Sequence, residues 1–255
     1  MSKDLNDLLR DWPYQPGNLQ VRKIVGNDGK AKLQLRLDMG ILQMEMTGRP
    51  DGHRPHDTES LLSYHQDRAK EAEAGGLPFS LTPEEVGDLQ TEGIQYYHRY
   101  VALYQLEDWK SVMRDTRRNL EMFTFVVKHS PNEEVAWSVD QFRPYVIMMN
   151  TRARAYLALG KDDFDSAVGH VERGIDKIER FLRDHQHPDL AEENAEVIVL
   201  KEWLKELRQK LPSKPVTPPS PLDQMRKEME KAVRAEQYER AAELRDAIKA
   251  MESKH

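Results

Sequence analysis

The densest group of chemistry-bearing side chains is the run GRPDGHRPH, residues 48–56. It carries Arg49, Asp51, His53, Arg54 and His56. Guanidinium groups bind carboxylates or phosphates bidentately. Imidazoles and carboxylates move protons or ligate metals. Pro55, however, stands between the two histidines and prevents a shared helical ligand face. His185 and His187 flank Gln186 ahead of Pro188, the composition of an interhelix loop, and have no evident partner pair. No nucleophile–base pair and no complete ligand set emerges, so neither a metal nor a cofactor is expected. The run reads as an exposed recognition loop or as a rigid connector, and its Gly and Pro content favours the connector.

Two further groups invite a functional reading. Arg114, Arg117 and Arg118 could hold an anion, but Glu107, Asp108, Asp115 and Glu121 are interleaved with them. A solvated, ion-paired helix face is the expectation. Tyr96, Tyr97, Tyr100, Tyr104 and Trp109 recur at spacings of three and four, which places most of them in core or interhelix packing.

The 255 residues are 38% hydrophobic and 32% charged, with a net charge of −6. Excess charge over apolar content suits amphipathic helices with wide solvated faces. There is no cysteine, which excludes disulfides and thiolate metal sites. Residues 1–60 hold nine basic and nine acidic groups, and residues 61–211 hold 20 and 27. No segment has the positive excess that phosphate neutralisation needs, so direct nucleic-acid binding is not expected. The N-terminus lacks the apolar core of a signal peptide, and the apolar run at 145–149 is too short for a membrane span. The expectation is a cytoplasmic protein with no membrane contact.

The elements that must position these groups follow in order. Residues 4–12 suggest a short helix ended by Pro13. Strands are predicted at 19–25, 32–38 and 41–46, joined by Gly26-Asn27-Asp28-Gly29 and Asp38-Met39-Gly40. Leu33, Leu35 and Leu37 alternate with polar residues and should face inward. A three-stranded antiparallel meander results, and it needs a helical layer over its leucine face. A helix over 59–74 would be capped by Asp57 or Thr58, and Thr82-Pro83-Glu84-Glu85 starts another. From there to 211 the pattern is helical throughout, with helices near 84–106, 108–128, 133–159, 162–184 and 190–211. Ile198, Leu200, Trp203, Leu204 and Leu207 form the packing side of the last. Asp108-Trp109-Lys110-Ser111-Val112 aligns with Asp163-Phe164-Asp165-Ser166-Ala167, an offset of 55 residues. The stretch 150–167, with its Tyr156, Gly160, Phe164 and Ala167, resembles a tetratricopeptide repeat with lengthened helices.

Residues 211–221 contain five prolines and read as an extended spacer. Beyond it, Leu222, Met225, Met229 and Val233 share one helix face. Tyr238, Ala241, Leu244, Ile248 and Met251 share another, and Ala235-Glu236-Gln237 separates the two. Two short helices leave their apolar stripes partly wet, so this hairpin should seek a partner. The run Tyr238-Glu239-Arg240-Ala241-Ala242-Glu243-Leu244-Arg245-Asp246-Ala247-Ile248 resembles the UVR motif, the helical hairpin shared by the UvrB and UvrC excision-repair proteins and also found in bacterial protein-quality-control factors. Residues 34–52 are similar to the corresponding stretch of other bacterial UVR-motif proteins. The resemblance implies protein–protein contact through Leu222, Met225, Met229, Val233, Tyr238, Glu239, Ala241, Ala242, Leu244, Arg245, Asp246, Ile248 and Met251. The partner it implies is another hairpin of this type or a second copy of the chain. It implies no nuclease or helicase activity, and no G-x-x-x-x-G-K-[ST] loop is present.

The fold class expected is α+β, predominantly α: a β-meander region over 1–80, a tetratricopeptide-like antiparallel helical body over 81–211, a Pro-rich linker over 212–221 and a tethered hairpin over 222–255. The leading function is a non-enzymatic protein–protein adaptor. The alternatives are an accessory factor of nucleotide excision repair that pairs with UvrB or UvrC, and an enzyme with its site at the 48–56 loop.

Overall fold

A computed structural model describes residues 4–185 and 194–210, together with Met229, Leu244 and Arg245. The chain divides into two compact units, Met1–Lys210 and Leu211–His255. The change from strand to helix pattern at 80/81 falls inside the first.

The first unit begins with a single helical turn, α1 (Asn6–Arg10), and an antiparallel meander of β1 (Val21–Val25), β2 (Ala31–Leu37) and β3 (Gly40–Glu45) in the order β1-β2-β3. Leu33 lies opposite Lys23 and Met44, and Leu35 opposite Val21 and Leu42. Leu33, Leu35 and Met44 are buried in one apolar core with Tyr100, Leu103 and Ile147 from the helices. Leu37, expected inward with them, is 37% exposed, because it closes the strand beside the turn to β3. The opposite face of β2 is buried too. There Arg22 Nε donates to Gln34 Oε1 at 2.8 Å and Gln34 Nε2 to Gln43 Oε1 at 2.9 Å. The N-terminal segment adds to this face: the Arg22 guanidinium lies 4.1 Å from the Trp12 ring centre, and Arg36 Nε donates to the Trp12 carbonyl at 2.9 Å.

The helices are α2 (Leu61–Ala74), α3 (Pro83–Gln105), α4 (Trp109–His129), α5 (Glu133–Asp140), α6 (Arg143–Leu159), α7 (Phe164–Asp184) and α8 (Ala195–Lys210). Thr82 and Glu85 close a reciprocal capping box at the start of α3, as the sequence pattern requires. Three expectations change. The helix predicted from 59 starts at Leu61, because Ser60 is extended and its side chain accepts from the Ser63 backbone N–H as the cap in place of Asp57 or Thr58. The single helix predicted over 133–159 is two. Pro144 has no N–H to give and its ring conflicts with the carbonyl four residues back, so the chain breaks at Gln141-Phe142. On α8 the buried stripe is Val197, Leu200, Leu204 and Leu207. Ile198, placed inward by the sequence reading, is 41% exposed because it lies one residue off that stripe.

The 55-residue offset is geometrical as well as sequential. Helices α4 and α7 are both 21 residues long, capped by Asp108 and Asp163, whose carboxylates accept from Ser111 and Ser166 backbone amides. Glu107 (φ 56°) and Asp162 (φ 57°) make the same left-handed turn. Asp108 N bonds Leu103 O and Asp163 N bonds Ala158 O, each at 3.0 Å. The hairpins α3–α4 and α6–α7 are therefore two copies of one local structure, and α8 packs on the second.

Close approach within the second copy depends on a glycine. A Cβ on Gly174 would overlap the Thr151 hydroxyl and methyl and come within 2.9 Å of its Cβ, a β-branched side chain with no room to turn. A Cβ on Gly93 meets only the mobile end of Met122, at 2.7 Å. Gly174→Ala should lower stability by about 1–3 kcal/mol through overpacking, and Gly93→Ala by clearly less. Urea denaturation of the two variants checks this, and equal losses would contradict the packing described.

Candidate functional site

The polar centre of the first unit is built on two buried carboxylates in the helical hairpin α3–α4. Glu92 is wholly buried, at 0% exposure. Its Oε2 accepts from the Leu61 backbone N–H at 2.8 Å and its Oε1 from Leu62 at 3.3 Å. It thus satisfies two of the orphan donors at the start of α2. Arg118 Nη2 donates to Oε1. Arg49 Nε lies 3.0 Å from Oε2, an ionic contact without hydrogen-bond alignment. One carboxylate therefore joins the 48–56 loop, α2, α3 and α4.

Asp115, on α4, does the same for the sheet. Arg99 clasps it with two parallel bonds, Nε to Oδ2 at 2.7 Å and Nη2 to Oδ1 at 2.9 Å. The third nitrogen of Arg99 donates to the Glu45 carbonyl at 3.0 Å, at the end of β3. Arg114 donates to Asp115 Oδ1 at 2.8 Å and to the Met46 carbonyl at 3.0 Å. Both arginines that serve the carboxylates lie against the Tyr96 ring, the Arg99 guanidinium 4.9 Å and that of Arg118 4.3 Å from its centre. Burial raises the Tyr96 pKa to about 12, with Arg99 acting in the opposite sense. Burial and the adjacent Arg49 lower that of Arg118, and Glu121 opposes both.

Of the residues read as a recognition loop, Arg49 is thus turned inward onto Glu92, and Asp51 accepts from Gln95 on α3 at 3.1 Å. His53 and Arg54 are exposed, and the Arg54 guanidinium donates to the Asp57 carbonyl at 3.2 Å. His56 stacks on Tyr64 of α2, ring centres 3.9 Å apart. The loop is pinned at several points, as a connector would be. Among the described residues no three His, Asp or Glu side chains gather as a ligand set.

The arginines of α4 form the solvated face expected for them only in part: Arg114 and Arg117 are exposed and Arg118 is not. The partner of Arg114 is inside. Glu92 and Arg99 were not singled out from the sequence. The signal was available: both occupy positions of the apolar stripe Leu89–Tyr96–Tyr100–Leu103, where a charge must find a buried partner. Tyr96 and Tyr100 are core residues as expected. Tyr97 is instead 40% exposed and, with Ile94, Phe142 and Tyr145, lines an apolar cleft of about 510 Å³ beside α3 and α6.

The residues assigned to the C-terminal hairpin lie outside the described residues except Met229, Leu244 and Arg245, all three helical. This segment carries the family relationship: residues 220–254 match the model of the UVR family, the UvrB/uvrC motif. The chain therefore carries a C-terminal UVR motif, and this motif is associated with protein interaction. No curated protein and no solved structure matches the chain. Among the described residues no helix is long and apolar enough to cross a membrane.

Removing one partner from a buried ion pair leaves the other charge stranded, at a cost of about 3–5 kcal/mol. Asp115→Ala should therefore destabilise the protein by about that amount. Lys110→Ala, an exposed change on the same helix, should stay within about 0.5 kcal/mol. Chemical denaturation of both variants makes the comparison.

Proposed function

We propose that the protein is a non-enzymatic adaptor of the bacterial cytoplasm, which engages a protein partner through its C-terminal UVR motif. The observation that carries this reading is the family match over 220–254. The division of the chain after Lys210 supports it, since a compact unit followed by a separate one suits a body that bears a recognition element. The favoured partner is another hairpin of the same type, because such a hairpin presents the complementary apolar stripe that two short helices leave uncovered. UvrB and UvrC, whose names the family carries, are the first candidates.

The state of the 48–56 loop supports the absence of catalysis there. Arg49 is neutralised by Glu92, and Glu92 is already committed to Arg118 and two backbone amides. A carboxylate that is wholly buried and bonded to a guanidinium and two backbone amides is not positioned to serve a substrate as a base. The tetratricopeptide-like body would supply a second recognition surface, and two linked sites raise effective concentration.

Capture with the full chain and with a version ending at Lys210 tests this. Purified UvrB and UvrC hairpins and a second copy of the chain serve as the probes. The full chain should retain at least one of them, and the shortened chain none. Equal retention by both would overturn the reading.

A further inference from the structure

The two copies of the helical hairpin differ at the positions that carry charge. Fifty-five residues after Arg99 and Arg118 stand Arg154 and Arg173. The carboxylates have no counterparts: Ile147 replaces Glu92 and His170 replaces Asp115. Thr151 stands at the position of Tyr96, whose ring both guanidiniums of the first copy approach. The second copy has kept the cations and lost both the anions and the ring.

The structure shows what this leaves. Where α6 and α7 meet Leu120 of α4 lies a cleft of about 70 Å³, lined also by Ile147, Asn150, Thr151 and Gly174 and by the basic or titratable Arg154, His170, Arg173 and Lys177. No acidic residue lines it. Arg154 Nε donates to Asn150 Oδ1 at 2.8 Å, and the Arg173 guanidinium lies 3.0 Å from His170 Nδ1. Among the described residues, no carboxylate forms an ion pair with Arg154, Arg173 or Lys177. In this Arg154 and Arg173 differ from their counterparts Arg99 and Arg118 in the first copy, each of which has one. A chain of net charge −6 had carboxylates to spare.

We propose that this cleft is an anion site, and that a phosphate dianion occupies the place that the carboxylates hold in the first copy. The volume corresponds to about two water molecules, the scale of one oxyanion head and too small for a nucleotide. Two guanidinium forks and an ammonium supply about three positive charges, which favours a dianion over a monoanion and suits the tetrahedral donor pattern of phosphate. Burial, with Arg173 and Arg154 beside it, holds the His170 pKa below the ordinary histidine value, and Asp163 opposes them. A bound anion would reverse part of that shift, so the ring is a built-in reporter.

The test is titration of the full chain with inorganic phosphate and with N-acetylphosphoserine amide, in chloride of matched ionic strength, followed by calorimetry and by the His170 ring resonances. At least one of the two should bind with Kd about 1 mM or tighter and should raise the His170 pKa. The Arg154→Gln/Arg173→Gln double variant should weaken binding about tenfold or more. His170→Asp restores the internal carboxylate of the first copy. It should abolish binding without lowering the melting temperature, which separates loss of the site from loss of the fold. Tighter binding of the phosphoserine compound marks a phosphorylated protein as the source, and equal or weaker binding marks free phosphate. Failure of both ligands to bind by about 10 mM, or unchanged affinity in His170→Asp, would overturn the proposal.

Discussion

A carboxylate taken out of water is tolerated only if opposite charge and hydrogen bonds replace its hydration. Glu92 and Asp115 impose that condition on the first unit, and much of its arrangement follows. Each is held in the α3–α4 hairpin, and each ties that hairpin to an element outside it, Glu92 directly and Asp115 through its arginines. Glu92 takes two backbone amides of α2 and a guanidinium from the 48–56 loop. Asp115 takes Arg99 and Arg114, which extend to carbonyls at the end of β3 and just beyond it. A three-stranded meander has too little buried area to stand alone. Its leucines supply a general attraction to the helices, and the arginine bridges specify where it docks.

The same hairpin, built a second time 55 residues later, solves its packing differently. Its turn, cap and helix length are reproduced. Its interior substitutes Thr151 against Gly174 for the aromatic ring and carboxylates of the first. One copy is closed by its own charges and holds the sheet. The other contacts α8, and among the described residues its Arg154 and Arg173 have no carboxylate partner. A local structure can thus be repeated faithfully while the chemistry on its inner face diverges, because turn and cap are set by a handful of residues that the interior does not use.

That separation explains what was legible in the sequence. The meander, its inward Leu33 and Leu35, the helix start at Thr82 and the repeated turn were readable, because each rests on local pattern and turn chemistry. The break at Gln141-Phe142 was equally local, and Pro144 was its overlooked signal. The charge cluster was harder. Its members come from 49, 92, 99, 115 and 118, and pairing across such separations is decided by tertiary packing. The Arg114–Arg118 segment looked solvated because acids close in sequence seemed sufficient partners, whereas Arg118 takes a carboxylate 26 residues away. The C-terminal motif was legible for the opposite reason, since its identity lies in a short contiguous run that the family model also matches.

The most direct test of the charge-clamp account is residue-resolved amide hydrogen exchange in the wild-type protein and in Glu92→Gln. The account predicts that protection falls first and most at Leu61, Leu62 and Gly52, whose segments converge on Glu92, while amides in the middle of α7 keep theirs. A uniform loss across the whole first unit, or no change at the start of α2, would contradict it.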